Sequence, residues 1–155
     1  MNSSEASFLS KVIPGFGGYV SEQKRRDDDL ALRRYLIERL QQSKKLLQTT
    51  AVGFVDKAMF DAIRESETLR QQIETLQSKM RSATEGYSSW FESNKIDEKK
   101  LAEVLDLDNS LVGFIDKLDS DLRAIEKDRP DFSASFSAID RLKDRFSRRG
   151  EILAK

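Results

Sequence analysis

Apolar residues recur every three or four positions along most of the chain, which is the spacing of an amphipathic α-helix. One very regular run predicts a long helix that pairs with a neighbour over about four heptads. Runs before and after it predict two more long helices, and a last run predicts a shorter fourth. The second run in chain order is the very regular one. The four runs are Leu36, Leu40, Ser43 and Leu47; Val52, Val55, Met59, Ala62, Ser66, Leu69, Ile73, Leu76, Met80 and Ala83; Leu101, Val104, Asp108, Leu111, Ile115, Leu118, Leu122 and Ile125; and Phe132, Phe136, Ile139, Leu142 or Lys143, and Phe146.

Breaks in these runs predict where the helices end. Residues 49–53, with Thr49, Thr50 and Gly53, mark the first turn, and residues 86–91 mark the second. Pro130 marks the third, because proline cannot continue a helix, and the last helix is expected to end before Gly150. The predicted helix caps are Ser21, Asp97, and Asp131 or Ser133.

Four such helices predict an all-α fold, an antiparallel up-down four-helix bundle with long coiled-coil-like helices. A three-helix coiled coil whose fourth helix is swapped into a dimer is the alternative. Pro14 and the glycines that follow it disconnect the first residues from the bundle. We therefore predict a flexible N-terminal arm over residues 1–18, outside the core, and a helical bundle domain over residues 19–155.

The composition argues against an enzyme. The 155-residue chain contains neither Cys nor His, so it lacks the thiolate nucleophile, thiolate metal ligands and the commonest acid-base group near neutral pH. We predict no cofactor and no metal. The 27 basic side chains balance 27 acidic ones, and nucleic-acid binding is not expected without a net positive field.

Two features predict a cytoplasmic location. No apolar run approaches the roughly 20 residues that span a bilayer. The start, Met1 to Ser7, lacks the basic region of a signal peptide.

The predicted topology brings the start of the first long helix, the end of the second, the start of the third and the end of the fourth to one end of the bundle. We call this the aromatic end, and the other the opposite end. Aromatic and basic residues collect there, which is typical of partner contacts but also of a cap that closes a bundle. The candidate partner-binding residues are Phe16, Tyr19, Tyr87, Trp90, Arg148 and Arg149, and Phe91 is expected in the core.

The arm offers a second candidate surface. Phe8, Leu9, Val12 and Ile13 have helical spacing, and an apolar face beside Lys11 could insert into a membrane surface. A frayed or back-packed terminus explains the same pattern.

Asp108 interrupts an otherwise apolar run, so it is predicted to be buried and paired, because a lone buried carboxylate is too costly. Arg33 lies at a similar level of a parallel helix and is the predicted partner, with Arg148 or Arg149 as the alternative. A rotated helix that leaves Asp108 in solvent is the competing interpretation.

Four short motifs carry a family resemblance. They are Pro14-Gly15-x-x-Gly18-Tyr19; Arg25-Arg26-x-x-Asp29-x-x-Leu32-Arg33; Gly86-Tyr87-x-x-x-Phe91; and Leu107-Asp108-x-Ser110-Leu111. In this order they resemble a family of uncharacterised bacterial helical proteins of unknown function. The resemblance implies an all-helical cytoplasmic protein, without an activity or a cofactor.

The expected function is therefore a non-enzymatic protein-interaction or scaffold module. Its partner is another protein of unknown identity, or a second copy in a homo-oligomer. The alternative is a peripheral membrane-associated helical protein that uses the N-terminal apolar arm.

Overall fold

The computed structural model describes residues 3–83, 91 and 97–154. Over these residues the chain is an all-α bundle of four long helices with one short N-terminal helix, as the sequence predicts. The elements are α1 (Ser3–Val12), a 3₁₀ turn (Glu22–Lys24), α2 (Arg25–Asp56), α3 (Phe60–Ser82), α4 (Glu98–Arg123) and α5 (Ser133–Leu153).

The bundle consists of two antiparallel hairpins placed side by side. Helix α2 packs along α3, and α4 packs along α5. The hairpins meet with α2 beside α4 and α3 beside α5, and each of these pairs is parallel. Polar contacts mark both pairings: Arg39 Nη1 lies 2.7 Å from Asp116 Oδ1, and Lys143 Nζ donates to Gln72 Oε1 at 3.2 Å. The aromatic end therefore carries the start of α2 and α4 and the end of α3 and α5.

The predicted apolar runs form the core. Positions from Met59 onward on α3, and from Leu101 to Leu122 on α4, are buried or half-buried at each predicted step. Each fully buried leucine or isoleucine stabilises the fold by roughly 1.5–3 kcal/mol. The fully shielded side chains that join the helices include Leu32, Leu36, Leu40, Leu69, Ile73, Met80, Val104, Leu111, Leu118, Ile139 and Leu142.

The first predicted turn is wrong, because α2 continues through it to Asp56. The Thr49 and Thr50 hydroxyls donate to carbonyls one turn back, at 3.1 and 3.0 Å, and so remain inside the helix. The chain turns instead at residues 57–59, where Ala58 adopts φ 54°. Val52 and Val55 consequently lie on α2 and face solvent, not on the seam of the second long helix.

The predicted separation of the arm from the core is also wrong. Leu9 and Ile13 are buried, and α1 packs against α4. The physical reason is the tight turn at Pro14 and Gly15, which reverses the chain and folds the apolar face of α1 back onto the bundle. Gly15 has φ 79°, a conformation that glycine adopts without a steric penalty.

Helix ends follow the predicted caps in part. Asp97 caps α4 by accepting a hydrogen bond from the Lys99 amide at 2.9 Å. The Asp131 carboxylate accepts from the Ser133 amide at 2.9 Å, at the start of α5. Ser21 precedes the 3₁₀ turn and does not cap α2 with its side chain. Helix α5 runs past Gly150 to Leu153, one turn further than predicted.

Candidate functional site

A tightly held loop connects α1 to α2 at the aromatic end. Asp28 accepts two backbone hydrogen bonds, from the Gly17 amide at 2.8 Å and from the Tyr19 amide at 2.9 Å. Arg25 Nε donates to the Tyr19 carbonyl at 2.9 Å. Tyr19 has φ 62°, a left-handed conformation that costs roughly 1–2 kcal/mol for a residue with a Cβ atom. The Asp28 and Arg25 contacts hold this conformation and direct the tyrosine ring into the bundle.

Five buried polar side chains meet below this loop, and we call them the ionic cluster: Tyr19, Asp29, Arg33, Asp108 and Arg149. Arg149 Nε donates to Asp108 Oδ1 at 2.6 Å, and Arg149 Nη2 donates to the Tyr19 hydroxyl at 2.9 Å. The Tyr19 hydroxyl in turn donates to Asp108 Oδ2. Arg149 Nη2 also lies 2.7 Å from Asp29 Oδ1, a close ion pair whose angles do not make a hydrogen bond. The cluster therefore joins the loop, α2, α4 and α5.

Arg33 connects the cluster to the remaining long helix. Its Nε donates to Asp29 Oδ2 at 3.0 Å, and its Nη1 donates to the Met80 carbonyl at 2.9 Å. Met80 lies in the last turn of α3, where carbonyls have no partner within the helix. A guanidinium there satisfies a carbonyl and complements the negative end of the helix dipole. All four long helices thus contribute to one buried polar assembly.

The formal charges of the cluster cancel, since Asp29 and Asp108 face Arg33 and Arg149. Burial raises the pKa of Asp108 from 3.8 to about 6, against the opposing effects of Arg149 and the Tyr19 hydroxyl. Burial opposes the charge on Arg149, but Asp108, Tyr19 and Asp29 outweigh it and raise the pKa of Arg149 well above its usual value. Burial and the Asp108 charge raise the pKa of Tyr19 well above 10.0, so its hydroxyl stays protonated. Near pH 7 the Asp108–Arg149 contact is an ion pair.

The predicted burial of Asp108 is confirmed, whereas its first predicted partner is not. Asp108 pairs with Arg149, the alternative named from the sequence, and Arg33 engages Asp29 instead. Arg148 is exposed and pairs with Asp144 at 3.2 Å.

Aromatic rings close the cluster from above. Phe16 meets the Tyr19 ring edge-on with centroids 5.3 Å apart, and Phe91 stacks on Tyr19 at 5.8 Å. Phe91 is buried, as predicted. Phe16, Tyr19 and Arg149 are buried as well, so these three do not face outward as partner-binding residues would, which corrects that expectation. Tyr87 and Trp90 lie outside the described residues.

The residues proposed to form a membrane arm differ in how far they are buried. Leu9 and Ile13 point into the core, Val12 is half-buried, and Phe8 is 45% exposed. Insertion of the arm into a membrane surface would require Leu9 and Ile13 to leave the core first. Across the described ranges, none of the helices is both long enough and apolar enough to cross a membrane.

Sequence reasoning missed the exposed apolar surface at the opposite end. Val52 is 62% exposed, Val55 60% and Phe60 71%, and all three lie within nine residues around the α2–α3 turn. We call them the tip patch. Large exposed apolar side chains that cluster at one place mark interaction surfaces more often than scattered ones do. The signal was present in the sequence, but the two valines were assigned to the seam of the wrong helix.

A groove adjoins the tip patch at Val52, between the last turns of α2 and the end of α4. This opposite-end groove has a volume of about 510 Å³. Its apolar lining includes Leu46, Val52 and Gly53 on α2, Leu122 on α4, and Ile125 just beyond α4. Charged residues line it too, and two of them are paired: Lys57 with Asp128, and Arg123 with Asp119.

The two ends of the bundle therefore differ in kind. Among the described residues, the aromatic end holds a buried polar cluster that joins the helices, and the opposite end presents accessible apolar surface. No group of acidic side chains in the described part of the chain is arranged to hold a metal ion. Comparison with protein-family models, with curated proteins and with solved structures finds no match, so the resemblance to an uncharacterised bacterial family stays a prediction.

Proposed function

We propose that this chain is a non-enzymatic, cytoplasmic protein-interaction module that binds its partner at the opposite end of the bundle. The observation that carries the proposal is the tip patch, whose three large apolar side chains are each at least 60% exposed beside a groove with a partly apolar lining. Removing such side chains from water is the main source of binding energy for a small docking surface.

The ionic cluster supports this division of roles. Its charged groups are buried beneath aromatic rings, so a substrate could reach them only if the loop at Tyr19 opened. A buried cluster whose charges balance adds little net stability but is well suited to fixing helix register, because a shifted helix would leave a charge unpaired. The bundle would then act as a rigid base that holds the opposite end in shape.

Site-specific photo-cross-linking in cells of the source organism tests the proposal. A benzophenone amino acid is placed at Val52 in one variant and at Phe8 in another, two exposed apolar positions on different helices. We expect the Val52 probe to give a discrete cross-linked protein band that excess unlabelled wild-type protein removes. Competition with a Val55→Asp/Phe60→Asp variant should fail, because that variant lacks the apolar contacts.

The Phe8 probe is the matched control and also tests the alternative. Cross-links to protein only from Phe8 would contradict the proposal. Cross-links to lipid from Phe8, together with flotation of the protein on liposomes, would favour the peripheral membrane interpretation instead.

A further inference from the structure

We infer that the opposite-end groove receives one amphipathic α-helix of about three turns from the partner protein, held by a stripe of aliphatic side chains. This inference rests on the proposed function and specifies the partner's chemistry.

The dimensions of the groove fit one helix. Along α2 its lining runs from Leu46 to Lys57, and eleven steps at 1.5 Å correspond to about 16 Å, or three helical turns. The last three turns of α2 form one side of this furrow, and the end of α4 with the residues that follow it, Leu122 to Lys127, forms the other. An aliphatic stripe at positions i, i+3 or i+4, and i+7 would lie along such a furrow.

The N-terminal segment already covers another part of this surface. At the aromatic end α1 packs on α4 with Leu9 and Ile13 buried, while Pro14 and Gly15 line a cavity together with residues of α2. The Arg39–Asp116 ion pair joins α2 and α4 between that covered part and the open groove. Thus the chain's own N-terminal segment covers one part of the α2–α4 pair, and the groove leaves another part open.

The size of the surface argues against a second copy as the occupant. Twelve residues line the groove, whereas a stable interface engages roughly 20–30 residues on each side. Charge argues for an aliphatic contact: of the four charged residues that line the groove, Lys57 and Arg123 each pair with a carboxylate of this chain, and Asp56 and Lys127 carry opposite charges. Binding should therefore depend weakly on salt, unlike recognition of a highly charged ligand.

Two glycines provide a matched pair of variants. At Gly53 on α2, and at Gly113 on α4, an added Cβ would meet no atom within 4 Å. Gly53 lines the groove and Gly113 does not. Gly53→Met should fill the groove without a clash in the bundle, while Gly113→Met makes the same chemical change away from it. Circular dichroism verifies that both variants fold.

The experiment selects displayed random peptides of about 14 residues, long enough for three to four helical turns, on the intact protein. Enriched peptides are then titrated by fluorescence anisotropy. We expect them to share an aliphatic i, i+3/i+4, i+7 stripe and to become helical on binding. Gly53→Met should weaken binding at least about tenfold, or about 1.4 kcal/mol, and Gly113→Met less than about twofold. Raising the salt from about 50 to 500 mM should change the dissociation constant less than about threefold.

The other outcomes separate the two proposals. Peptides that bind in an extended form, yet are lost on Gly53→Met, overturn the helical partner and leave the proposed function standing. Peptides that no longer bind Phe60→Ser but still bind Gly53→Met would place the binding site at the tip patch instead of the groove, and would overturn the inference. Enriched peptides that bind Gly53→Met and Phe60→Ser as tightly as the wild type contradict the inference and the proposed function together. A selection that enriches no peptide does the same.

Discussion

Replacing Arg149 by methionine removes the cation that holds the ionic cluster together. Arg149 contacts Asp108, Asp29 and the Tyr19 hydroxyl, and its side chain is fully buried. Without it, two carboxylates share the single charge of Arg33, and the cluster has a formal charge of −1. Breaking a buried pair in this way costs about 3–5 kcal/mol, a large part of the 5–15 kcal/mol that typically stabilises a domain.

The cost should come from the unpaired groups that remain, and further substitutions test this. Adding Asp108→Leu removes the orphaned carboxylate but leaves the Tyr19 hydroxyl without either of its cluster partners, which costs about 1–3 kcal/mol. Adding Tyr19→Phe removes that hydroxyl as well, while the Asp29–Arg33 pair stays intact. We therefore expect the unfolding free energy of the triple variant to lie within about 2 kcal/mol of the wild-type value, although the variant lacks the polar contacts that Arg149 makes between the Tyr19 loop and α5.

Urea unfolding at pH 7.5 measures these differences, with the midpoint and the slope fitted for each variant. A loss below about 1 kcal/mol for Arg149→Met would rule out this explanation, because removing only one partner of a fully buried ion pair leaves the other charge uncompensated in the core. Coupling below about 0.5 kcal/mol between Asp108→Leu and Arg149→Met would refute it independently, since it would mean that the two side chains act separately.

Three further predictions follow from the structure. Acidification from pH 7.5 to 5 should raise the unfolding free energy of Arg149→Met by up to about 1.4 kcal/mol per pH unit. The reason is that the folded-state pKa of Asp108 is already raised to about 6 and rises further without Arg149, so that folding takes up a proton. A urea midpoint that decreases as the pH is lowered would contradict this. Leu9→Ala should lower the unfolding free energy measured in urea by about 2–5 kcal/mol, and Phe8→Ala by less than about 0.5 kcal/mol, because only Leu9 is packed in the core. Equal effects of the two substitutions would mean that α1 lies outside the core. Gly53→Ala and Gly113→Ala should each raise the unfolding free energy by about 0.5–1 kcal/mol, since both lie within helices beside open space, and a loss at either position would indicate a hidden contact.

The helix seams could be predicted from the sequence because a long apolar run at helical spacing can be removed from water only as one buried face of a helix. The burial of Asp108 followed from the same argument, but its partner did not. Arg33 and Arg149 both reach its level, and the choice depends on how the hairpins meet. The structure packs α5 against α4, and this packing brings Arg149 to Asp108.

Local turn chemistry explains the predictions that failed. Thr49, Thr50 and Gly53 suggest a turn, yet threonine hydroxyls can bond back within a helix and glycine is tolerated there. The actual turn at Ala58 contains neither glycine nor proline. The inward direction of Tyr19 depends on Asp28, nine residues away, and sequence spacing does not reveal that contact. This is why Phe16, Tyr19 and Arg149 look like surface residues in the sequence and are instead buried in the structure.

The most direct test of the account is an NMR titration of the isotope-labelled intact protein with a helical peptide obtained from the selection. We expect chemical-shift changes at Leu46 to Lys57 and at Leu122 to Lys127, around the opposite-end groove, with the backbone signals of Tyr19, Asp108 and Arg149 unmoved. Shift changes centred on Tyr19, Asp108 and Arg149 would place the partner at the aromatic end and contradict the account.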